Sequence, residues 1–274
     1  MKFSVQSNGN QTGYEKDVTL KGFLMSVTST AADNITATVL QNIYVTAQLY
    51  RPSLSNPTVV MQGDAFSLAK ASNPGSVEGI NNIRGAFTGL NLSFGTRVIN
   101  LNDGDELRVT VKVSGAVAGQ VTTICTQEAV GIEDVTPVVI VYNALTSPQN
   151  QSVSLGDYIE AIGVVETNAT SPRITNINLA SKNWSCDYAE EEFAALMSDQ
   201  FFAAAVPATS FYCLNVYNGP NLDNVRGSIG VDADGTSNGA LVVFGGFVNP
   251  VTFAKAVDTA SSVQRKIYDK AIAG

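Results

Sequence analysis

The sequence contains no histidine. That absence removes the general base of Ser-His-Asp and Cys-His catalysis and the usual nitrogen ligand of zinc sites. Cysteine is nearly as scarce: Cys125, Cys186 and Cys213 are an odd number, too scattered for a disulfide framework. They read as small buried hydrophobes, with a Cys186 to Cys213 bridge as the alternative. Charge is thin as well. Only 15% of residues are charged against 45% hydrophobic, so much of the surface must be neutral, and part of it is expected to be covered by other chains. The formal net charge is −8 and no basic cluster exceeds Arg265-Lys266. Direct binding of nucleic acid, which needs a basic face, is therefore not expected. No apolar run approaches a membrane span, and Met1-Lys2-Phe3-Ser4-Val5-Gln6 lacks the apolar core of a signal peptide. The expectation is a chain made in the cytoplasm and not exported by the usual route, without enzymatic activity, cofactor or tightly bound transition metal.

What the sequence does contain is a repetition at an offset of about 135 residues. Val18-Thr19-Leu20 returns as Val153-Ser154-Leu155, and Phe23-Leu24 as Tyr158-Ile159. Asn34-Ile35-Thr36 returns as Asn168-Ala169-Thr170, and Asn42-Ile43-Tyr44-Val45 as Asn176-Ile177-Asn178-Leu179. Further on, Asp64, Phe66 and Ala69 match Asp199, Phe201 and Ala204, and Asn82-Ile83-Arg84-Gly85 matches Asn224-Val225-Arg226-Gly227. Last, Leu107-Arg108-Val109-Thr110-Val111 matches Leu241-Val242-Val243-Phe244-Gly245. Single matches mean little; their common order suggests two copies of one unit. A chain of 274 residues has room for two domains of roughly 130 residues, each of ordinary size for one core.

Within the first copy, short β-branched and aromatic runs alternate with Gly, Pro, Asn and Asp, the pattern of an all-β sandwich or barrel. Strands are expected near Phe3–Gln6, Val18–Thr28, Thr36–Tyr50, Thr58–Gln62, Ile80–Ile83, Ala86–Phe94, Thr96–Leu101 and Glu106–Ser114. Asn102-Asp103-Gly104-Asp105 reads as a tight turn. Asp64–Ser72 reads as a short helix capped by Asp64 and stopped by Asn73-Pro74-Gly75. The second copy is expected to hold a longer helix in the same slot, Tyr188–Ala205, with Asp187 as its N-cap and Glu190-Glu191-Glu192 in its first turn. Ala116–Pro148 joins the copies, and Pro137–Val141 takes the place that Lys2–Val5 holds in the first. The division is expected as 1–133, 134–249 and a carboxy-terminal amphipathic helix, 250–274. Asn249 and Pro250 suit the start of that helix, and Phe253, Ala256, Val257, Ala260, Val263, Ile267 and Ala271 form an apolar stripe.

Few residues suggest chemistry. Asp187 with the three glutamates could offer paired carboxylates, but a charged first helical turn explains them. Asp232, Asp234 and Asn238, around Gly235 and Gly239, have the look of a calcium loop without its closing glutamate; a hairpin turn accounts for the same letters. The duplicated Asn-Ile/Val-Arg-Gly makes Arg84 and Arg226 candidates for a fork onto a carboxylate of a neighbouring barrel, the alternative being exposed arginines at strand ends. Trp184 stands where Tyr50 stands in the first copy, for core packing or as a ligand platform.

Two consecutive eight-stranded units, each with an inserted helix, in an acidic chain without catalytic motifs, resemble the double jelly-roll major capsid proteins of tailless icosahedral viruses. The resemblance is strongest to those of membrane-containing bacteriophages of the corticovirus and finnlakevirus types. It covers nearly the whole chain and is architectural. It implies an all-β fold of two tandem jelly-roll barrels with short inserted helices and a carboxy-terminal helix, located in the virion. It further implies a homotrimer whose six barrels make a pseudo-hexagonal capsomer, in contact with neighbouring capsomers, minor capsid and penton proteins, and an internal viral membrane. Phe253, Val257 and Ile267 then become interface candidates, docking on a capsid subunit or on that membrane. The alternatives are a β-sandwich carbohydrate-binding adhesin or virion spike protein, which would expose aromatics on one face, and a β-barrel enzyme, which would need a polar cleft with paired carboxylates or a metal.

Overall fold

The computed structural model describes residues 1–30, 35–72, 81–84, 87–115, 117–133, 135–142, 151–154, 161–166, 174–180, 185–189, 211–215, 228–233 and 239–247; of these, 81–84 and the strands between 151 and 241 are described by backbone alone. In the first half the order is β1 Lys2–Gln6, β2 Asn10–Glu15, β3 Thr19–Thr28, α1 Ala37–Gln41, β4 Ile43–Tyr50, β5 Thr58–Asp64, α2 Ala65–Ser72, β6 Asn81–Arg84, β7 Phe87–Ser93, β8 Ile99–Asn100, β9 Glu106–Val113 and β10 Val121–Glu128. In the second it is β11 Thr136–Tyr142, β12 Gln151–Ser154, β13 Ala161–Glu166, β14 Ile174–Ala180, β15 Ser185–Ala189, β16 Phe211–Asn215, β17 Ser228–Ala233 and β18 Gly239–Phe247.

Three sheets result, with orders β1-β10-β3-β7-β6, β16-β13-β18-β11-β5-β4-β9-β2 and β12-β17-β14-β15, and β8 pairs β3 at the side of the first. Setting aside the short β6 and β8, the first half contains β1-β10-β3-β7 and β2-β9-β4-β5. The second contains β11-β18-β13-β16 and β12-β17-β14-β15. Counted in chain order, both halves have the same two paths, first-eighth-third-sixth and second-seventh-fourth-fifth. Each half is a jelly roll. The repeated unit expected from the sequence is present as topology.

Burial explains why the first half closes. Along β4, Ile43, Val45, Ala47 and Leu49 are fully buried while their neighbours are half-exposed, and β9 alternates in step through Leu107, Val109, Val111 and Val113. This face meets Phe23, Met25 and Val27 of β3, Leu90 and Leu92 of β7 and Ile124 of β10 in one core. Phe23 and Phe94 pack edge to face at 5.6 Å. The turn at Asn102–Asp105 forms as expected: Gly104 takes φ +87°, Asp105 N–H donates to the Asn102 carbonyl at 2.9 Å, and Asn102 N–H donates to Asp105 Oδ2 at 3.1 Å. Asp64 caps α2, accepting the Ser67 N–H at 2.8 Å, and burial raises its carboxyl above the usual range against the pull of that bond.

Two polar side chains interrupt the core. Thr122 of β10 and Thr88 of β7 sit on either side of Val27; both are buried, and neither hydroxyl has a hydrogen-bond partner. An unpaired buried hydroxyl costs about 1–3 kcal/mol, so the near-isosteric Thr122→Val is expected to raise stability by about 1 kcal/mol, read as a higher urea midpoint at unchanged slope. A loss of stability would mean that the hydroxyl is satisfied after all.

The structure corrects several expectations. Thr36–Tyr50 is not one strand: Thr36 Oγ1 accepts the Val39 N–H at 3.4 Å, α1 follows, and the strand starts at Ile43. A short apolar run fits both periods, and here the capping residue decides. Ala116–Pro148 is not merely a connection, because β10 lies within it and pairs with β1 and β3. β2 was not expected; its Asn-Gln-Thr-Gly-Tyr-Glu is polar because it is the end strand of its sheet. Asp187 does not cap a helix, since it lies in β15 opposite Asn178; residues 190–205 lie outside the described residues. Two of the repeat matches also fall on strands that are not equivalent. Leu107–Val111 belongs to the seventh strand of its jelly roll and Leu241–Gly245 to the eighth. Val18–Leu20 leads the third strand, whereas Val153 lies in the second. The matches at Asn42–Val45, on β4 and β14, do correspond.

Candidate functional site

The described structure is distinctive where its halves meet. Just past β4, Arg51 turns inward, its side chain only 4% exposed. Its Nη1 donates to Glu133 Oε1 and Thr136 Oγ1, both at 2.9 Å. Nη2 donates to Glu133 Oε2 at 2.7 Å and to the Asn100 carbonyl at 3.0 Å, and Nε donates to Asp105 Oδ2 at 3.2 Å. Glu133 accepts in addition from the Asn100 N–H at 2.8 Å and from the Thr136 hydroxyl. Burial works against the guanidinium's charge, yet Glu133 and Asp105 raise its pKa above the ordinary arginine value, so it stays charged. Every donor position of the fork is used, the geometry in which arginine exceeds lysine. The clamp joins the end of β4, the turn before β9 and β8 to the strap that leads into β11.

Beside the clamp runs a seam. β11 lies parallel to β5, Val139 opposite Met61 and Ile140 opposite Gln62. Gly63 permits this approach, for a Cβ there would lie 2.2 Å from Val141 Cγ2. Helix α2, buried along Ala65, Phe66, Ser67, Leu68, Ala69 and Ala71, contacts β7 of the first half and β13 and β18 of the second.

The outer faces of the first jelly roll differ. On the β2-β9-β4 face, Arg108 lies over the rings of Tyr50 at 4.0 Å and Tyr14 at 5.7 Å. Glu106 reaches Arg108 at 2.6 Å and Lys16 at 3.0 Å. Tyr14 is 57% exposed. On the β1-β10-β3-β7 face, the register sets out rows of Lys2, Cys125, Leu24 and Asn91; Ser4, Thr123, Ser26 and Gly89; and Gln6, Val121, Thr28 and Phe87. Within these three rows Lys2 is the one charged residue; Lys21 and Glu128, both exposed, stand beyond them at the far end of β3 and β10.

The residues singled out in the sequence fare unevenly. Arg84 lies in β6 opposite Phe87, and its match Arg226 lies outside the described residues. The two are not equivalent positions, since β6 precedes the sixth strand of its jelly roll and residue 226 precedes the seventh. A fork onto a carboxylate that the sequence did not single out is made by Arg51 on Glu133, beside the junction. Its only sequence signal was an arginine before Pro52 at the end of an alternating strand, with Glu133-Asp134 at the expected boundary. Asp232 lies in β17 opposite Asn176, while Asp234 and Asn238 lie outside the described residues. The hairpin expected there is not formed, because β17 and β18 belong to different sheets. Cys125 is free and half-buried; Cys186 and Cys213 lie in β15 and β16. Trp184, Phe253, Val257 and Ile267 lie outside the described residues. Among the described residues, no group of three or more His, Cys, Asp or Glu could hold a metal ion, and no helix is long and apolar enough to cross a membrane.

By sequence, no protein-family model and no curated protein matches the chain. By structure it is similar to a chain of Sulfolobus Turreted Icosahedral Virus, at TM-score 0.56 and 11% identity over 98% of this chain and 95% of that one. It is similar to the STIV major capsid protein at TM-score 0.54 and 13% identity, over 91% and 97%. It is also similar to the major capsid protein P2 of Bacteriophage PM2 at TM-score 0.50 and 9% identity, over 91% and 99%. At such identities the likeness is one of fold. The fold is the double jelly roll.

Proposed function

We propose that the chain is a structural major capsid protein, and that three copies close into a pseudo-hexagonal capsomer of six jelly rolls in an icosahedral shell. The observation that carries this reading is the joining of two topologically identical jelly rolls along a strand edge. It is supported by a likeness to major capsid proteins that spans nearly all of this chain and nearly all of theirs. The weakly charged sheet face of the first jelly roll suits coverage by other copies. No enzymatic role is assigned: in the polar clamp every guanidinium donor of Arg51 and both carboxylate oxygens of Glu133 are engaged within the protein.

In this reading the jelly rolls are 1–133 and 134–249, and the segment 250–274 is a carboxy-terminal helix. Its Phe253, Val257 and Ile267 dock on a capsid subunit or on an internal membrane. The protein is made in the host cytoplasm and ends in the virion, beside neighbouring capsomers and minor capsid proteins. Light scattering on the purified protein is expected to give three times the chain mass, with tiles or shells in negative stain at higher concentration. A monomer at every concentration would sink the proposal. The second reading, a carbohydrate-binding spike or adhesin, is favoured by the Tyr14, Arg108 and Tyr50 stack. It predicts a glycan-binding monomer whose binding is lost in Tyr50→Ala.

A further inference from the structure

The joint between the jelly rolls is an edge-to-edge addition. The fifth strand of the first, β5, and the first strand of the second, β11, each end a four-stranded path of their own, and their parallel pairing merges two sheets into one of eight strands. Among the described residues it is the one parallel pairing. Because the two topologies are identical, the same two kinds of edge occur once more. The first strand of the first jelly roll, β1, ends the path β1-β10-β3-β7-β6, and the fifth strand of the second, β15, ends β12-β17-β14-β15. Among the described residues neither has a second neighbouring strand.

The open edge of β1 can be read group by group. The Met1 carbonyl accepts the Thr126 N–H at 3.1 Å, and Ser7 N–H donates to the Gln120 carbonyl at 3.2 Å. Between them the register runs without a shift from Lys2 opposite Cys125 to Gln6 opposite Val121. In an antiparallel ladder alternate residues exchange bonds, so Phe3 and Val5 turn their backbone groups to β10. Lys2, Ser4 and Gln6 turn theirs to the outer edge, where, among the described residues, only the Gln6 carbonyl is taken, by Gly9 N–H at 3.0 Å. The strand has no proline and no bulge, and of the devices that guard an edge it carries a single lysine, Lys2, at its start. Its start is held in place by the Met1 ammonium, which bonds Glu15 and Thr126.

We infer that β15 of one copy adds, in parallel, to β1 of the next, repeating between chains the joint that β5 and β11 make within one. This rests on the capsid reading and names the surface by which copies meet. Each chain then offers a first-strand edge to one neighbour and a fifth-strand edge to the other. Such contacts are heterologous and generate a ring when the rotation closes. Their bonds are main chain to main chain, as in β-augmentation.

Hydrogen exchange on free subunits and on the assembly tests the inference. The amides of Lys2, Ser4 and Gln6 are expected to slow by on the order of 100-fold on assembly, as are alternate amides of Ser185–Ala189, while Phe3 and Val5 are slow in both states. Ser4→Pro removes an outward N–H without touching the ladder to β10, a position where an edge strand tolerates proline. It is expected to fold with an unchanged urea midpoint and to stay unassembled. Ser4→Ala, which loses only the 2.7 Å side-chain bond to Thr123, assembles normally. An assembly in which Lys2, Ser4 and Gln6 exchange as fast as in the free subunit overturns the β1 to β15 joint and leaves the capsid reading intact; the exchange result decides even if Ser4→Pro fails to fold. Normal assembly of Ser4→Pro overturns the joint as well. Wild-type protein that never associates overturns both.

Discussion

Arg51→Met is expected to cost about 3–5 kcal/mol of stability, the usual consequence of removing one partner from a buried charge cluster. The side chains of Glu133 and Asp105 are only 5% and 8% exposed. Without the guanidinium, two carboxylates remain out of water with a handful of neutral donors. Urea unfolding of the purified chain, with midpoints compared at equal slope, measures the loss. The intact cluster need not itself be a large source of stability, because desolvating three ions offsets much of their attraction. The triple change Arg51→Met, Glu133→Gln, Asp105→Asn is therefore expected to cost less than Arg51→Met alone. Arg51→Lys keeps the charge but loses the fork that holds both Glu133 oxygens, and falls between them. A loss below about 1 kcal/mol for Arg51→Met would match an exposed pair and contradict the clamp.

The clamp also marks how far the sequence could be read. Strand content, the helix slot that follows Thr58–Gln62, the cap at Asp64 and the turn at Gly104 were legible, because each depends on residues near one another in the chain; the duplication was legible as ordered matches at a common offset. A fork from an arginine onto a carboxylate of a neighbouring barrel was weighed at Arg84 and Arg226 against exposed arginines at strand ends. The fork of the clamp, from Arg51 to Glu133 across 82 positions of sequence, was not singled out, because local pattern carries no information over such a separation. Strand equivalence failed for a related reason. Strand patterns repeat every two residues, so matching letters such as Leu107–Val111 and Leu241–Gly245 slide onto a neighbouring strand without penalty. β2 and β10 were missed because their Thr, Gln and Asn look like loop. They are strands because β9 and β3 supply their backbone partners.

Gly63→Val is expected to be the most damaging single change on the seam. The new Cβ would stand 2.2 Å from Val141 Cγ2, 2.5 Å from Val141 Cβ and 3.5 Å from Leu68 Cγ. Real side chains do not approach to the first two distances, so something must shift. β5 cannot retreat easily, since its other side is laddered to β4 from Tyr44 opposite Asp64 to Leu49 opposite Thr58. β11 must then move, and the β5 to β11 pairing loosens. Overpacking of this kind costs about 1–3 kcal/mol for one extra methyl, so Gly63→Ala already reports the effect and Gly63→Val exceeds it. Removing the obstacle from the other strand should recover part of the loss. The double variant Gly63→Ala, Val141→Gly is expected to be more stable than the sum of the single losses allows, a coupling that independent sites do not show. Strict additivity would mean that Gly63 matters only to its own strand. The consequence for assembly is separate from that for stability. If copies meet through the same kind of edge, a barrel displaced at this seam carries its open edge out of place. Gly63→Ala should then weaken association more steeply than its modest loss of stability would suggest. Comparing urea midpoints with the concentration at which copies associate separates the two, and equal shifts in both would show that the seam holds one chain together without setting the geometry of the next contact.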